Sequence, residues 1–417
     1  MNITASPEFD GMPLDTETIP QECLNIHNKE RTNPFPWNGQ FSPQLIEVLL
    51  RTYANRECFV LDPFLGSGTV LHEAGRLGFP AFGSEVNPAP CKMAQVYRLI
   101  NLVPDARRQL LEELSQTVQD WVLAGSALFS STRKTCRASL KQVLAEEANR
   151  TNEGYRKALL EALVVLLNYG EKELTAEAVL SEWSKLCQTV LALPFSHAPI
   201  DLANCDARSL PLRDACADMI ITSPPYINVF NYHQHYRRSV EALGWDLLQV
   251  ARSEIGSNRK HRGNRFLTVI QYALDMAAVL GELRRVSRPD ARVILVVGRE
   301  SNVRKTRFFN GELVARLAIH AVGYRLTTRQ ERVFQNRFGE MIYEDILHLT
   351  PQPPGTQLPA VEIAREALNA ALDRAPPEAL ADLKDALEKS GEVKPSPMYR
   401  QESTFPGEPC QNRKEVM

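Results

Sequence analysis

Residues 57–87 read ECFVLDPFLGSGTVLHEAGRLGFPAFGSEVN, and no other stretch restricts the fold as much. The apolar run Cys58–Asp62 stops at a glycine-rich turn. Residues 69–77 then take helical spacing closed by Gly78, and a second apolar run ends at Glu85. Strand, glycine turn, helix and strand within about 30 residues make a βαβ unit. Such a unit requires a parallel sheet, and a parallel sheet requires cover on both faces. The chain therefore needs further strands of the same kind and helices to flank them.

It supplies them after an interruption. Residues 106–196 carry helical rather than strand patterning. Leu110, Leu111, Leu114, Val118, Trp121 and Val122 share one face, a second helix is closed by Gly170, and a third is capped by Thr175. Strand grammar resumes with PIDLANCDA, DMIITS and ARVILVVG, then YRLTTRQERV and YEDILHL, with a long helix around VIQYALDMAAVLGELRRV. The expected organisation is a flexible N-terminal lead-in (1–30), a catalytic domain in two pieces (31–105 and 197–350) around the helical insertion (106–196), and a helical then disordered C-terminal tail (351–417). The fold class is α/β, a doubly wound, mostly parallel sheet.

With 44% hydrophobic and 24% charged residues over 417 positions, the chain is of ordinary globular composition. A net charge of −2 means that any nucleic-acid partner has to be found in local patches. The eight cysteines are scattered with no C-x-x-C pair, so no metal site is expected and a reducing compartment is. No run of about 18 apolar residues occurs, and the N-terminus lacks a basic region and an apolar core; the expectation is a cytoplasmic protein with no membrane partner.

The glycine turn LDPFLGSGT lacks the third glycine of a dinucleotide fingerprint. Glu85 stands at the tip of the following strand, where a carboxylate can take both hydroxyls of a ribose and excludes a 2′-phosphate. Turn and carboxylate together indicate a nucleoside cofactor without saying which. Four segments in order then carry a more specific likeness: NPFPWNGQFSPQLIEVLL, DPFLGSGT with SEVNP, NCDARSLPL, and TSPPY. They resemble the amino-directed DNA methyltransferases that use S-adenosylmethionine.

That resemblance implies a Rossmann-like methyltransferase fold, a seven-stranded, mostly parallel sheet with one antiparallel edge strand. Carried over by position, it implies that Asp62, Phe64, Gly66, Ser67, Gly68 and Thr69 line the cofactor's methionine and sugar. Phe41 and Ser42 reach its carboxylate end. Glu85 holds the ribose, Asn87 lies near the adenine, and Asp206 accepts from the adenine amino group. Phe64 as plain core and Asp206 as a turn residue are the competing readings. The helical insertion matches nothing in the family pattern.

The same resemblance makes Ser223, Pro224, Pro225 and Tyr226 the catalytic tetrad. An exocyclic amine is a poor nucleophile because its lone pair is conjugated into the ring. The Ser223 hydroxyl and the Pro224 carbonyl are acceptors for its two hydrogens, the donorless prolines stiffen both, and Tyr226 stacks on a base turned out of the duplex. A Ser at the first position, preceded by Thr, resembles the branch that methylates N4 of cytosine; Asp or Asn there resembles the N6-adenine branch. The expected activity is thus site-specific N4-cytosine methylation of double-stranded DNA, in restriction–modification beside a separately acting endonuclease or as a solitary enzyme. The rivals are an N6-adenine enzyme and a catalytically idle S-adenosylmethionine- or nucleic-acid-binding module. The glycine-flanked segment RSEIGSNRKHRGNRF offers Arg259, Lys260, Arg262 and Arg265 as phosphate contacts. EPCQN near the C-terminus contains a Pro-Cys pair like a C5-cytosine nucleophile, but Cys410 follows no strand and is set aside. NRFGEMIYEDILHL is read as a structural last strand.

Overall fold

The computed structural model describes residues 9, 11–27, 30–128, 139–152, 154–227, 234–256, 261, 263–336, 339–353, 355 and 357–399, the side chains of 124–128 excepted. Among the described residues nine strands form in chain order: β1 (Val60–Asp62), β2 (Ala81–Ser84), β3 (Ile200–Ala203), β4 (Ala217–Thr222), β5 (Ser287–Gly298), β6 (Glu300–Val303), β7 (Thr306–Phe309), β8 (Tyr324–Gln335) and β9 (Met341–Pro351). Seven of them make one sheet in the order β3-β2-β1-β4-β5-β9-β8, and β6–β7 is a separate hairpin.

The strands β3, β2, β1, β4 and β5 are mutually parallel, and β9 runs antiparallel to both β5 and β8. The sheet is thus seven-stranded and mostly parallel, as expected, with one difference. The antiparallel strand lies one place in from the edge, because the β8–β9 hairpin folds β8 back to run with the parallel set.

Side chains alternate between two cores, the period-2 consequence of strand geometry. Val60, Met219, Ile221, Ile294 and Ile346 enter one; Leu61, Ile220, Val293, Leu295 and Leu347 enter the other. The first core is covered by the helices Pro43–Tyr53 and Thr69–Leu77 together with the insertion, and the second by Leu267–Val286, Asn310–Arg316 and Ala360–Ala371. Cover on both sides is why the strand sequences are continuous apolar runs.

The insertion comprises the helices Pro104–Leu128, Leu140–Arg150, Tyr155–Leu166 and Ala176–Leu191. Its neck is closed by Arg107, whose guanidinium is fully buried and donates to the carbonyls of Ile100, Leu102, Leu193 and Pro194. One side chain thus ties together the chain on both sides of the excursion. A buried Lys92–Glu161 pair at 2.6 Å fastens the third helix to the sheet domain.

Within the expected lead-in and tail, residues 11–27 and 357–399 pack on the domain, and the expected helical part of the tail is present as Ala360–Ala371 and Pro377–Glu388. Leu14 bridges to Arg329, the Gln21 amide donates to the Glu331 carbonyl (2.9 Å), and the Val333 N–H donates to Asn25 Oδ1 (2.8 Å). These contacts satisfy the outer edge of the 12-residue β8, which if bare would template association. At the other end, the Ser396 hydroxyl and N–H both donate to the buried Asp275 carboxylate (2.6 and 2.8 Å). Among the described residues no helix is long and apolar enough to cross a membrane, and no group of three or more His, Cys, Asp or Glu is placed to hold a metal ion.

Candidate active site

A cavity of about 1070 Å³ opens where the parallel strands end. Its wall takes Pro63–Gly66 after β1, Glu85–Asn87 after β2, Asp206 and Ala207 after β3, Ser223–Ile227 after β4, and Gly298–Asn302 after β5. Strand order reverses between β1 and β4, and carboxyl ends at such a switch point are where open α/β sheets bind ligands.

The glycine turn is held by the carboxylate that follows it. Glu85 Oε2 accepts from the Gly66 N–H (2.9 Å) and Oε1 from the Asn87 N–H (2.8 Å). Burial pushes the Glu85 carboxyl up to about 7 despite those bonds. Asp62, also buried, is pushed up to about 7, while its Oδ1 accepts from the Thr222 hydroxyl (2.7 Å) and the Phe64 N–H (3.1 Å). That bond joins the end of β1 to the residue immediately before the tetrad.

Gly66 and Gly68 adopt φ of +52° and +96°. At Gly68 a Cβ would also lie 2.7 Å from the Tyr97 ring, so the second glycine serves core packing rather than approach to a ligand.

Of the cofactor residues expected from sequence, Phe41, Phe64, Gly66, Thr69, Glu85, Asn87 and Asp206 line the cavity. Ser42, Asp62, Ser67 and Gly68 stand behind it. Ser67 donates to Gln40 Oε1 (2.7 Å) and Thr69 to Asn33 Oδ1 (2.8 Å), and the Asn33 amide donates to the Phe41 carbonyl (2.7 Å). These bonds draw residues 33–41 over the turn, and Trp37–Phe41 become part of the wall. The segment is anchored upstream by Arg31 on Glu73 (2.6 Å); although burial raises that carboxyl, His72, Arg31 and Arg76 hold it down at about 2. On its far side Asn38 meets His235 (3.1 Å) and Trp37 lies parallel to Tyr236. Asn33, Trp37 and Gln40 were not singled out one by one, although NPFPWNGQFSPQLIEVLL, which holds them, is one of the four segments that carry the likeness.

Asp206 reaches the wall with its acceptor capacity filled. Oδ1 takes the Arg208 N–H (3.0 Å) and Nε (2.9 Å); Oδ2 takes the Arg208 guanidinium (2.6 Å) and the Tyr399 N–H (3.0 Å). An adenine amino group would have to displace one of these donors. Tyr399 carries no local sequence signal for this role, being 193 residues away, and Arg208, within NCDARSLPL, was not singled out.

All four tetrad residues line the cavity, and so do Ser253–Gly256, which lead into the basic segment. Arg259, Lys260 and Arg262 lie outside the described residues, as does Cys410; Arg265 is described and exposed. The segment read as a structural last strand does more than that, because Glu340–Tyr343 form part of the wall.

Residues 15–96 match the N6_N4_Mtase family, described as DNA methylase. The type II methyltransferase M.MjaII of Methanocaldococcus jannaschii is 32% identical over 96 residues, 22% of this chain and 18% of that one, so this chain spans less than a fifth of that relative's length. Among solved structures, a SAM-dependent methyltransferase from Methanosarcina mazei aligns over 73% of this chain and 98% of its own at 11% identity (TM-score 0.34). The rRNA methyltransferase AviRa from Streptomyces viridochromogenes aligns over 87% and 96% at 12% identity (TM-score 0.29). The family match falls on β1, the glycine turn and β2, within the strand order already described. This is a methyltransferase fold.

Its cofactor is S-adenosylmethionine, and the residues at the cavity fit that group. Asn87 Nδ2 is a buried donor with no partner, on a residue that lines the wall, and Ser42 Oγ is likewise buried and unpartnered. A nucleoside offers an acceptor to Asn87 directly, while Ser42 stands behind the wall beside Phe41, which lines it.

Proposed function

We propose that this chain methylates N4 of cytosine in double-stranded DNA. What carries the reading is that Ser223–Tyr226 leave β4 into the same cavity as Gly66, Glu85 and Asn87. S-adenosylmethionine supplies an electrophilic methyl group when bound. The chain's own residues do the rest. Glu85 takes the ribose hydroxyls, with Asn87 beside the nucleoside and Phe41 and Ser42 toward the amino-acid end. The Ser223 oxygen and the Pro224 carbonyl accept the two amine hydrogens of the target base, draw its nitrogen toward sp³ and turn the lone pair into the cavity. Pro224 and Pro225 hold those acceptors still, so little reorganisation remains at the moment of reaction. Tyr226 stacks on the base after it is turned out. Arg259, Lys260, Arg262 and Arg265 hold phosphates of the duplex. A rigid pair of amine acceptors has no use in an idle binding module, which supports an enzyme.

Ser223 with Thr222 before it supports cytosine over adenine. The setting we propose is restriction–modification, the endonuclease acting separately. The test is to incubate protein, double-stranded DNA and labelled cofactor, digest to nucleosides, and identify the product by chromatography against standards. N4-methylcytosine is expected. N6-methyladenine would move the assignment to the other branch, and no labelled nucleoside would overturn it.

A further inference from the structure

We propose that Glu344, with Gly298, is the positioning residue that sets Tyr226 at the angle needed to receive a turned-out base. The inference rests on the reading of Tyr226 given above and adds two residues that neither the tetrad nor the family match includes.

The geometry is a row across three strands. Gly298 on β5 is the register partner of Glu344 on β9, and Glu344 is in turn the partner of Arg332 on β8. Tyr226 lies along that row. A Cβ at Gly298 would sit 2.7 Å from Tyr226 Cε2 and 3.0 Å from Cζ, closer than real Cβ atoms come, so the ring rests directly on the strand backbone. Its hydroxyl reaches the next strand, about 4.8 Å away in a sheet, and donates to Glu344 Oε1 at 3.4 Å. The other Glu344 oxygen accepts from the Arg332 guanidinium at 3.1 Å, which fixes the carboxylate.

Gly298 therefore creates the slot and Glu344 closes its far end. With one face on the backbone and the hydroxyl tethered, the ring is fixed where it lines the cavity. Burial pushes the Glu344 carboxyl above its ordinary range, which identifies this as a desolvated contact rather than a surface pair. The row, and not the tetrad alone, makes the tyrosine a fixed platform.

The experiment is a double-mutant cycle on methylation of duplex DNA, with KM for DNA and kcat measured separately. Glu344→Ala should raise KM for DNA about 3–10-fold, the worth of one modest hydrogen bond, with a smaller change in kcat. Glu344→Gln keeps an acceptor and should restore most of the loss. In a Tyr226→Phe background Glu344→Ala should do almost nothing further, since the hydroxyl through which it acts is gone. Gly298→Ala should raise KM for DNA at least tenfold while cofactor affinity by calorimetry is unchanged. Additive effects of Tyr226→Phe and Glu344→Ala would overturn the proposal, and so would an equal loss of cofactor affinity in Glu344→Ala. If the wild type methylates no DNA, the proposed function fails separately. Crystal structures of the wild type and Gly298→Ala then decide the positioning claim, and an unmoved Tyr226 ring overturns it.

Discussion

On the cofactor wall of the cavity, Gly39 (φ +75°) and Gly66 (φ +52°) have left-handed backbone, with Gly68 (φ +96°) just behind them. On the substrate side Gly256 (+62°) lines the cavity, and behind its wall Tyr236 (+59°), Arg304 (+49°) and Lys305 (+63°) share that backbone with side chains attached. A side chain in that region costs roughly 1–2 kcal/mol, whereas glycine adopts it freely. The cofactor turn is thus relaxed, and its shape follows from its own residues. The substrate side retains side chains where the backbone favours glycine, and such a conformation persists only when neighbours enforce it. Tyr236 is held against Trp37, and Arg304 is paired with Asp382. The difference is that on the substrate side the elements behind the wall carry side chains at a backbone penalty, and around the cofactor turn they do not.

The largest effect should come from the substrate side. Ser223→Ala removes an acceptor that acts as charge develops on the target amine, so methyl transfer should slow by roughly 10²–10³-fold, as for loss of one oxyanion-hole donor. Cofactor affinity should not follow. Single-turnover rates with saturating cofactor measure the first, calorimetry the second. A comparable loss of cofactor binding would erase the distinction between the two walls.

Next comes the fold of the cofactor turn. Gly68→Ala combines a strained φ with a Cβ placed 2.7 Å from Tyr97 and 3.0 Å from Ala94. Strain and overpacking together should lower unfolding free energy by roughly 2–4 kcal/mol. Urea denaturation with an unchanged slope is the measurement, and a wild-type midpoint would mean that the turn is not fixed by its glycines.

The cofactor wall was the more legible from sequence, for a physical reason. β1, the turn, the helix Thr69–Leu77 and Glu85 lie within about 30 consecutive residues, so spacing alone encodes their contacts. The central strands were legible too, because burial on both faces leaves an unbroken apolar run. What escaped was made by distant partners or by short polar pieces. The strands of the β6–β7 hairpin are four residues each, ESNV and TRFF, too short and polar to register. The helix Leu140–Arg150 did carry a signal, a capping box between Ser139 and Gln142, that was passed over between two longer helices. The edge contacts of Asn25 with Val333 and of Tyr399 with Asp206 span 308 and 193 residues. No local pattern announces such pairings, which pack residues near 25 and 399 on the domain.

A smaller effect tests the charge of the cofactor wall. Glu85→Ala should weaken S-adenosylmethionine binding about ten- to hundredfold, corresponding to about 1.5–3 kcal/mol for hydrogen bonds to a charged group. The same carboxyl makes binding pH-dependent. Burial raises Glu85 and Asp62 to about 7, well above their unfolded values. Their contribution to folding is therefore fully present below about pH 4 and is lost as pH rises through 7, at up to about 1.4 kcal/mol per pH unit for each group. Ribose hydroxyls and a cationic cofactor favour the ionised carboxylates, so affinity should rise over the same interval and binding should release protons. Calorimetry in buffers of different ionisation heat measures the release; proton uptake would reverse the assignment of Glu85.

The smallest effect asks whether the substrate side really holds strain. Lys305 and Arg304 form the tip of the β6–β7 hairpin, and Glu300–Asn302 of the same hairpin line the cavity. Both central residues of such a two-residue turn need positive φ, which is why Asn-Gly is favoured there. Lys305 gains little in return, since it is highly exposed and its contact with Glu378 spans 3.6 Å. Lys305→Gly removes the side chain that strains the turn and forfeits only that weak pair, against the extra unfolded-state freedom of glycine. The balance should raise stability by about 0.5–1 kcal/mol, read as a higher urea midpoint. If the variant is instead less stable, the hairpin tip is held by its side chains, and the substrate side is as relaxed as the cofactor turn.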